Sequence, residues 1–243
     1  KANKRRIPNS SEKKTRVYLQ QSHRPICMKK LLLWGLPLLC LAAGCREQTD
    51  ETPDERSIAY NDRAIALMQD YLERDEVLPD SSLLAACRTR TDTIQRVMKD
   101  IVDSCQILLD SALLYSPEHY FYYAQKATLY ACGAYYQEAA RWMEKALEKK
   151  DLPELRLGAG MFLQKAGEER QAQACYRQVA DQYRTRDTLS SADRINYAFA
   201  LILSGEKETA RRTIDSLITD TLARKQLQQM TENPQEALEV LFP

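Results

Sequence analysis

The chain has 243 residues, enough for one sizeable domain or two small ones, and 44% of them are apolar, an ordinary share for a globular core. Of its 35 Lys and Arg and 34 Asp and Glu, ten basic residues and one acidic residue fall within positions 1–45, which leaves 25 against 33 and a net charge of −8 beyond Cys45. An acidic body of this kind excludes nucleic acid as a partner, because phosphate binding needs a basic surface, and excludes a peripheral hold on anionic lipid, so membrane attachment has to come from an anchor. Gly is scarce, at seven residues, while Ala, Leu, Glu, Gln, Lys and Arg abound; the composition favours helix, with almost no strand-like alternation of β-branched residues.

Residues 1–27 begin with Lys, are basic and polar, and include Pro8, Pro25 and the Ser10-Ser11 pair. They are expected to be a disordered, non-native upstream extension, with translation starting at Met28; a polybasic cytosolic arm is the other reading. From Met28 the chain has the three parts of a signal peptide at 28–44: the basic Lys29-Lys30, an apolar run from Leu31, and small residues up to Gly44. Fourteen residues from Leu31 to Gly44 would reach roughly 21 Å as a helix, short of a hydrocarbon core of roughly 30 Å, and Pro37 interrupts them.

Leu41-Ala42-Ala43-Gly44-Cys45 resembles the lipobox of bacterial lipoproteins, with Ala42 where Leu is commonest. The resemblance implies that Cys45 receives a diacylglyceryl group and becomes the mature N-terminus, often with a further acyl chain on its amine. Two or more chains suffice for stable anchoring, whereas one does not. Residues 45–55 are polar and acidic and read as a flexible tether. An acidic stretch behind the lipidated Cys is similar to the export signal of Bacteroidota surface lipoproteins. Arg46 stands in place of the Asp that retains many lipoproteins in the inner membrane. The expected location is therefore the outer membrane, at its periplasmic face or the cell surface.

Residues 56–115 are expected to form N-terminal helices. The first spans about Asp54 to Glu73, with Ile58, Ala59, Ile65, Met68 and Leu72 on one face. Leu78-Pro79-Asp80-Ser81-Ser82 is a break, with Asp80 or Ser81 as an N-cap, and a long helical pattern then runs to Tyr115, stopped by Ser116-Pro117.

Residues 116–217 carry a period. Tyr123, Ala127 and Tyr130 are followed, after Gly133-Ala134, by Ala139, Met143 and Ala146. Gly160, Leu163, Gly167, Ala172 and Tyr176 fall at matching positions, and so do Ala198, Leu201, Gly205, Ala210 and Ile214. Ala112 to Ala146 is 34 residues, Ala139 to Ala172 is 33 and Ala172 to Ala210 is 38, the excess falling in the polar stretch Tyr183 to Ser190. The pattern resembles the tetratricopeptide repeat, an antiparallel helix pair of about 34 residues. Lys126 replaces its usual Leu and Arg156 its aromatic. A generic helical bundle with Ala at the crossings is the alternative. The resemblance implies an all-α fold, a short α-solenoid of antiparallel helix pairs. Residues 218–243 are expected to cap it with a helix near Thr219–Met230 and a last one opened by Pro234.

Tetratricopeptide arrays bind extended peptides or partner helices on the face of their first helices. Carried onto this chain, that face selects Phe121, Thr128, Leu157, Met161, Gln164, Lys165, Ile195 and Phe199; capping helices that cover it are the competing reading. Exposed Phe and Ile there would be unusual without a partner.

Chemistry-bearing motifs are sparse. Cys87, Cys105, Cys132 and Cys175 lie in helical patterns and read as buried free thiols rather than disulfides. His119, just after Pro117, suits a capping or surface role. No Cys–His metal spacing, nucleophile elbow or phosphate loop is present, and Gly158-Ala159-Gly160 is a bare fragment of a dinucleotide motif in a helical pattern. The expected function is that of a lipid-anchored envelope protein that binds another envelope protein or peptide segment. It is expected not to be an enzyme, and to carry no metal and no cofactor beyond the lipid on Cys45. A structural helical subunit of an outer-membrane complex is the alternative, and an enzyme or glycan-binding lipoprotein a third.

Overall fold

The computed structural model describes residues 52–73 and 87–241. Cys45, the signal segment at 28–44, residues 1–27 and the break after Leu78 lie outside the described residues. Those residues are all-helical, with no strand among them. Helix α1 is Glu55–Glu73 and α2 is Cys87–Tyr115; α3 is Tyr120–Cys132, α4 Tyr136–Lys149, α5 Pro153–Lys165 and α6 Glu169–Arg184; α7 is Ser191–Leu203, α8 Lys207–Leu217, α9 Thr221–Glu232 and α10 Pro234–Leu241. Each helix packs on its neighbour in sequence, so the body is a row of adjacent helices.

Helices α1 and α2 run antiparallel: Ser57 near the start of α1 meets Ser116 just past the end of α2, and Cys105 Sγ donates to the Ala64 carbonyl at 3.3 Å. The face of α1 that turns inward is Ser57, Asn61, Ala64 and Met68, while Ile58 and Ile65 are half-buried and Ala59 is exposed. Of the apolar set expected on one face, then, Met68 faces the core, the row is shifted by one position at Ser57 and Ala64, and the side chain of Leu72 lies outside the described residues. Ser57 takes the inner row because it is hydrogen-bonded there. Ser57 Oγ donates to the Asp54 carbonyl at 2.6 Å and lies 2.8 Å from Tyr122 Oη.

Three helix pairs follow, α3–α4, α5–α6 and α7–α8, and their geometry repeats. Each first helix is 13 residues long. Each closes on the same turn, in which the amides of Tyr135, Glu168 and Glu206 donate to the carbonyls of Tyr130, Leu163 and Leu201, five residues back, at 3.0, 2.8 and 2.9 Å. The residue before each of those amides, Ala134, Gly167 or Gly205, takes a positive φ of 61°, 87° or 82°. This is the left-handed residue that lets a helix satisfy its last carbonyls and reverse direction. The longer spacing of the last unit arises in two places. Helix α6 has 16 residues against 14 in α4, and the link before α7, residues 185–190, is longer than that before α5, residues 150–152.

First and second helices are buried differently. The second helices bury one stripe each, such as Ala139, Met143 and Ala146 on α4, or Ala172, Tyr176, Val179 and Tyr183 on α6, as expected for the outer layer. The first helices bury nearly their whole circumference: α5 from Leu157 to Leu163 and α7 from Asn196 to Leu203 without interruption. A helix apolar on all sides has neighbours on all sides.

Helix starts follow capping chemistry. Ser190 opens α7 with a reciprocal capping box: Asp193 N donates to Ser190 Oγ and Ser190 N to Asp193 Oδ2, both at 3.1 Å. Pro153 sits in the first turn of α5, where its missing N–H costs nothing. Asp220 accepts from Ala223 N at 2.6 Å and so starts α9 two residues later than the expected Thr219.

Candidate protein-binding face

The first helices α3, α5 and α7 carry the eight residues selected from the sequence, and the structure places them as follows. On α3, Phe121 and Thr128 are half-buried; Phe121 meets the edge of Tyr122 at 5.8 Å between ring centres, and Thr128 Oγ1 donates to the Ala124 carbonyl at 3.0 Å. On α5, Leu157 and Met161 are buried, while Gln164 and Lys165 are half-buried. On α7, Ile195 is half-buried and Phe199 is buried, with 8% of its surface exposed. Leu157, Met161 and Phe199 share one core with Leu227 and Met230 of α9 and Leu238 of α10.

The C-terminal helices join that core. Helix α9 packs on α8 and also on α7, and Glu232 at its end pairs with Lys207 at 2.8 Å and with Arg211 on α8. These two cations hold the Glu232 carboxyl at about 2, well below its ordinary 4.5. Helix α10 meets α5: Gln164 Nε2 on α5 donates to Gln235 Oε1 at 3.3 Å. Gln164 is itself fixed from below, because Tyr176 Oη on α6 donates to its Oε1 at 2.8 Å. Lys165 lies over the Tyr136 ring at 5.2 Å.

Close approach within a pair depends on one glycine. A Cβ on Gly160 of α5 would lie 2.6 Å from Cε1 of Tyr176, so the tyrosine ring occupies the space that any other residue would need. Gly158-Ala159-Gly160 is thus helix packing inside α5, with all three residues buried.

Several features were not legible from residue patterns. Lys126, in the place of the usual Leu, is buried; its Nζ donates to Asp110 Oδ1 at 2.6 Å and lies 4.3 Å from the centre of the Trp142 ring. Burial lowers its pKa, and Asp110 opposes that shift. The side chain therefore bridges α2, α3 and α4. On the outer face of α2, Ile107 and Leu114 are 67% and 81% exposed and two helical turns apart.

His119 stands at the N-cap of α3 without a capping bond from its ring, which instead packs among Tyr120, Phe121 and Tyr122. A polar cavity of about 350 Å³ lies beside it, between Pro53-Asp54 and the α2–α3 turn. Arg56, by side chain and amide, holds the Asp54 carboxyl there at about 2. The thiols of Cys105, Cys132 and Cys175 are free, but only Cys105 is fully buried and Cys132 is exposed, against the expectation of uniform burial. Burial pushes the Cys105 thiol up to about 11. Cys132 is the last residue of α3, at the turn into α4. The side chain of Cys87 lies outside the described residues.

Among the described residues no group of three or more His, Cys, Asp or Glu is gathered for a metal ion, and no helix is long and apolar enough to cross a membrane. In comparison with known proteins the chain matches no family model, no curated protein and no solved structure.

Proposed function

We propose that this chain is a lipid-anchored envelope protein of the outer membrane, held through Cys45, whose tetratricopeptide-like array binds another envelope protein or a peptide segment of one, without catalysis. The observation that carries the reading is the repetition of one helix pair. Three first helices of equal length end on the same left-handed turn, at Ala134, Gly167 and Gly205. An array of that kind sets its first helices side by side, and a continuous face of this sort suits a helix or an extended peptide. Phe121, Thr128, Gln164, Lys165 and Ile195 keep part of their surface open along it. The acidic body supports an anchor in place of a membrane-binding surface.

Two measurements test the two halves of the reading. Cys45→Ala is expected to abolish labelling of the protein by a fatty-acid probe in its native host; undiminished labelling contradicts the anchor. Phe121→Glu with Ile195→Glu is expected to reduce partner recovery after crosslinking in intact cells, with helix content retained; unchanged recovery contradicts the face.

A second reading, a structural subunit that uses its outer faces, is favoured by one feature, the exposed Ile107 and Leu114 on α2. Loss of recovery on Ile107→Glu with Leu114→Glu, but not on the first pair, would select it.

A further inference from the structure

Helix α9 lies against α7, the last first helix, yet α10 bonds to α5, one repeat further back. A single residue, Asn233, joins α9 to α10. With so short a link, α10 turns back to the end of α5 at Gln164, a residue of the candidate face, while α9 stays against α7 and α8. Its side chains agree with that position. Gln235 meets Gln164, and Leu238, three residues on and therefore on the same side of the helix, is fully buried in the core that holds Met161 and Phe199. Glu239, the next residue, is exposed.

From this geometry we infer that α10 is a resident ligand of the binding face, and that the face takes an amphipathic helix of the same kind: a leucine anchor preceded, three residues earlier, by an amide side chain. The inference rests on the protein-binding reading above and adds to it the class of partner and the element it displaces. Eight residues are too few for a helix that persists by itself, so α10 is formed by the surface it lies on. Among its described side chains, Leu238 is buried and Gln235 pairs with Gln164. A partner helix that offers the same two groups, with more turns on either side, therefore competes for the site while α9 keeps the end of the array closed through Glu232.

The test uses this chain alone. A labelled peptide of residues 232–243 is titrated into the intact protein and into full-length Leu238→Glu, which expels the resident helix. Binding to the variant is expected to be at least about tenfold tighter than to the wild type, since an occupied site lowers apparent affinity by the fraction that is open. Equal binding to both, or none to a variant that keeps its helix content, overturns the inference. If Leu238→Glu unfolds, hydrogen exchange on the wild type decides. The α10 amides are expected to exchange at least about tenfold faster than those of α5 and α7, as a separately opening unit. Exchange of α10 in step with α7 overturns the inference. Failure in either assay leaves partner binding by the array untouched, whereas loss of the cellular partner alone does not affect the peptide result.

Discussion

Single residues decide how closely the helices of this array approach and turn. Gly160→Ala is expected to destabilise the fold by about 1–3 kcal/mol in urea unfolding, because the added methyl meets a tyrosine that is buried and tied to Gln164. The turns give a matched pair of effects. Ala134 holds a φ of 61°, which costs an L side chain about 1 kcal/mol, so Ala134→Gly should recover part of that and raise Tm. Gly167→Ala should lose about as much, and for the same reason, since the space around Gly167 is open and only its φ of 87° resists.

Lys126 can be tested by pH. Burial lowers its folded pKa below the 10.5 it has when unfolded, so the unfolded chain binds more protons as pH rises through the window below 10.5, and stability contributed by this group rises with pH there. Lys126→Met should remove that rise and be no less stable at neutral pH, because Asp110, its partner, is largely exposed and stays solvated. A variant with the wild-type pH slope contradicts this account.

At the scale of elements, much was legible. The long helix ending at Tyr115, the pairs separated by Gly133, Gly167 and Gly205, and the last helix opened by Pro234 follow from period, glycine and proline positions. Two things escaped. The inner row of α1 was displaced by one residue because Ser57 and Asn61, polar by type, are held inside, Ser57 by its hydrogen bonds. Helix α9 starts at Thr221 rather than near Thr219 because the Asp220 carboxylate caps it.

The junction of α8 and α9 depends on Glu232, an exposed carboxyl between two cations. Its folded pKa of about 2 lies below its ordinary 4.5, so the stability it contributes is present above 4.5 and is lost as pH falls towards 2. The difference in stability between wild type and Glu232→Gln should therefore shrink across that window, and also with added salt. A difference independent of pH would place the effect elsewhere.

At the scale of the molecule, the eight residues picked for the binding face fall on the three first helices, but three of them are buried. Periodicity shows which side of a helix is apolar and not what lies against it. Leu157, Met161 and Phe199 share one core with Leu227, Met230 and Leu238 of the C-terminal helices, and α10 returns to Gln164 through a contact 71 residues apart in the chain and without a local signature. The exposed Ile107 and Leu114 are likewise invisible in sequence, since both fit an apolar stripe equally well as core.

The central claim is that the face of the first helices, and not the outer layer, meets the partner. A photocrosslinking residue placed at Ile195 in the lipidated protein, compared in intact cells with one at exposed Gln178 on α6, tests it most directly. The account predicts one discrete envelope-protein adduct from position 195 and none from position 178. The same adduct from both positions, or an adduct from position 178 alone, would contradict it.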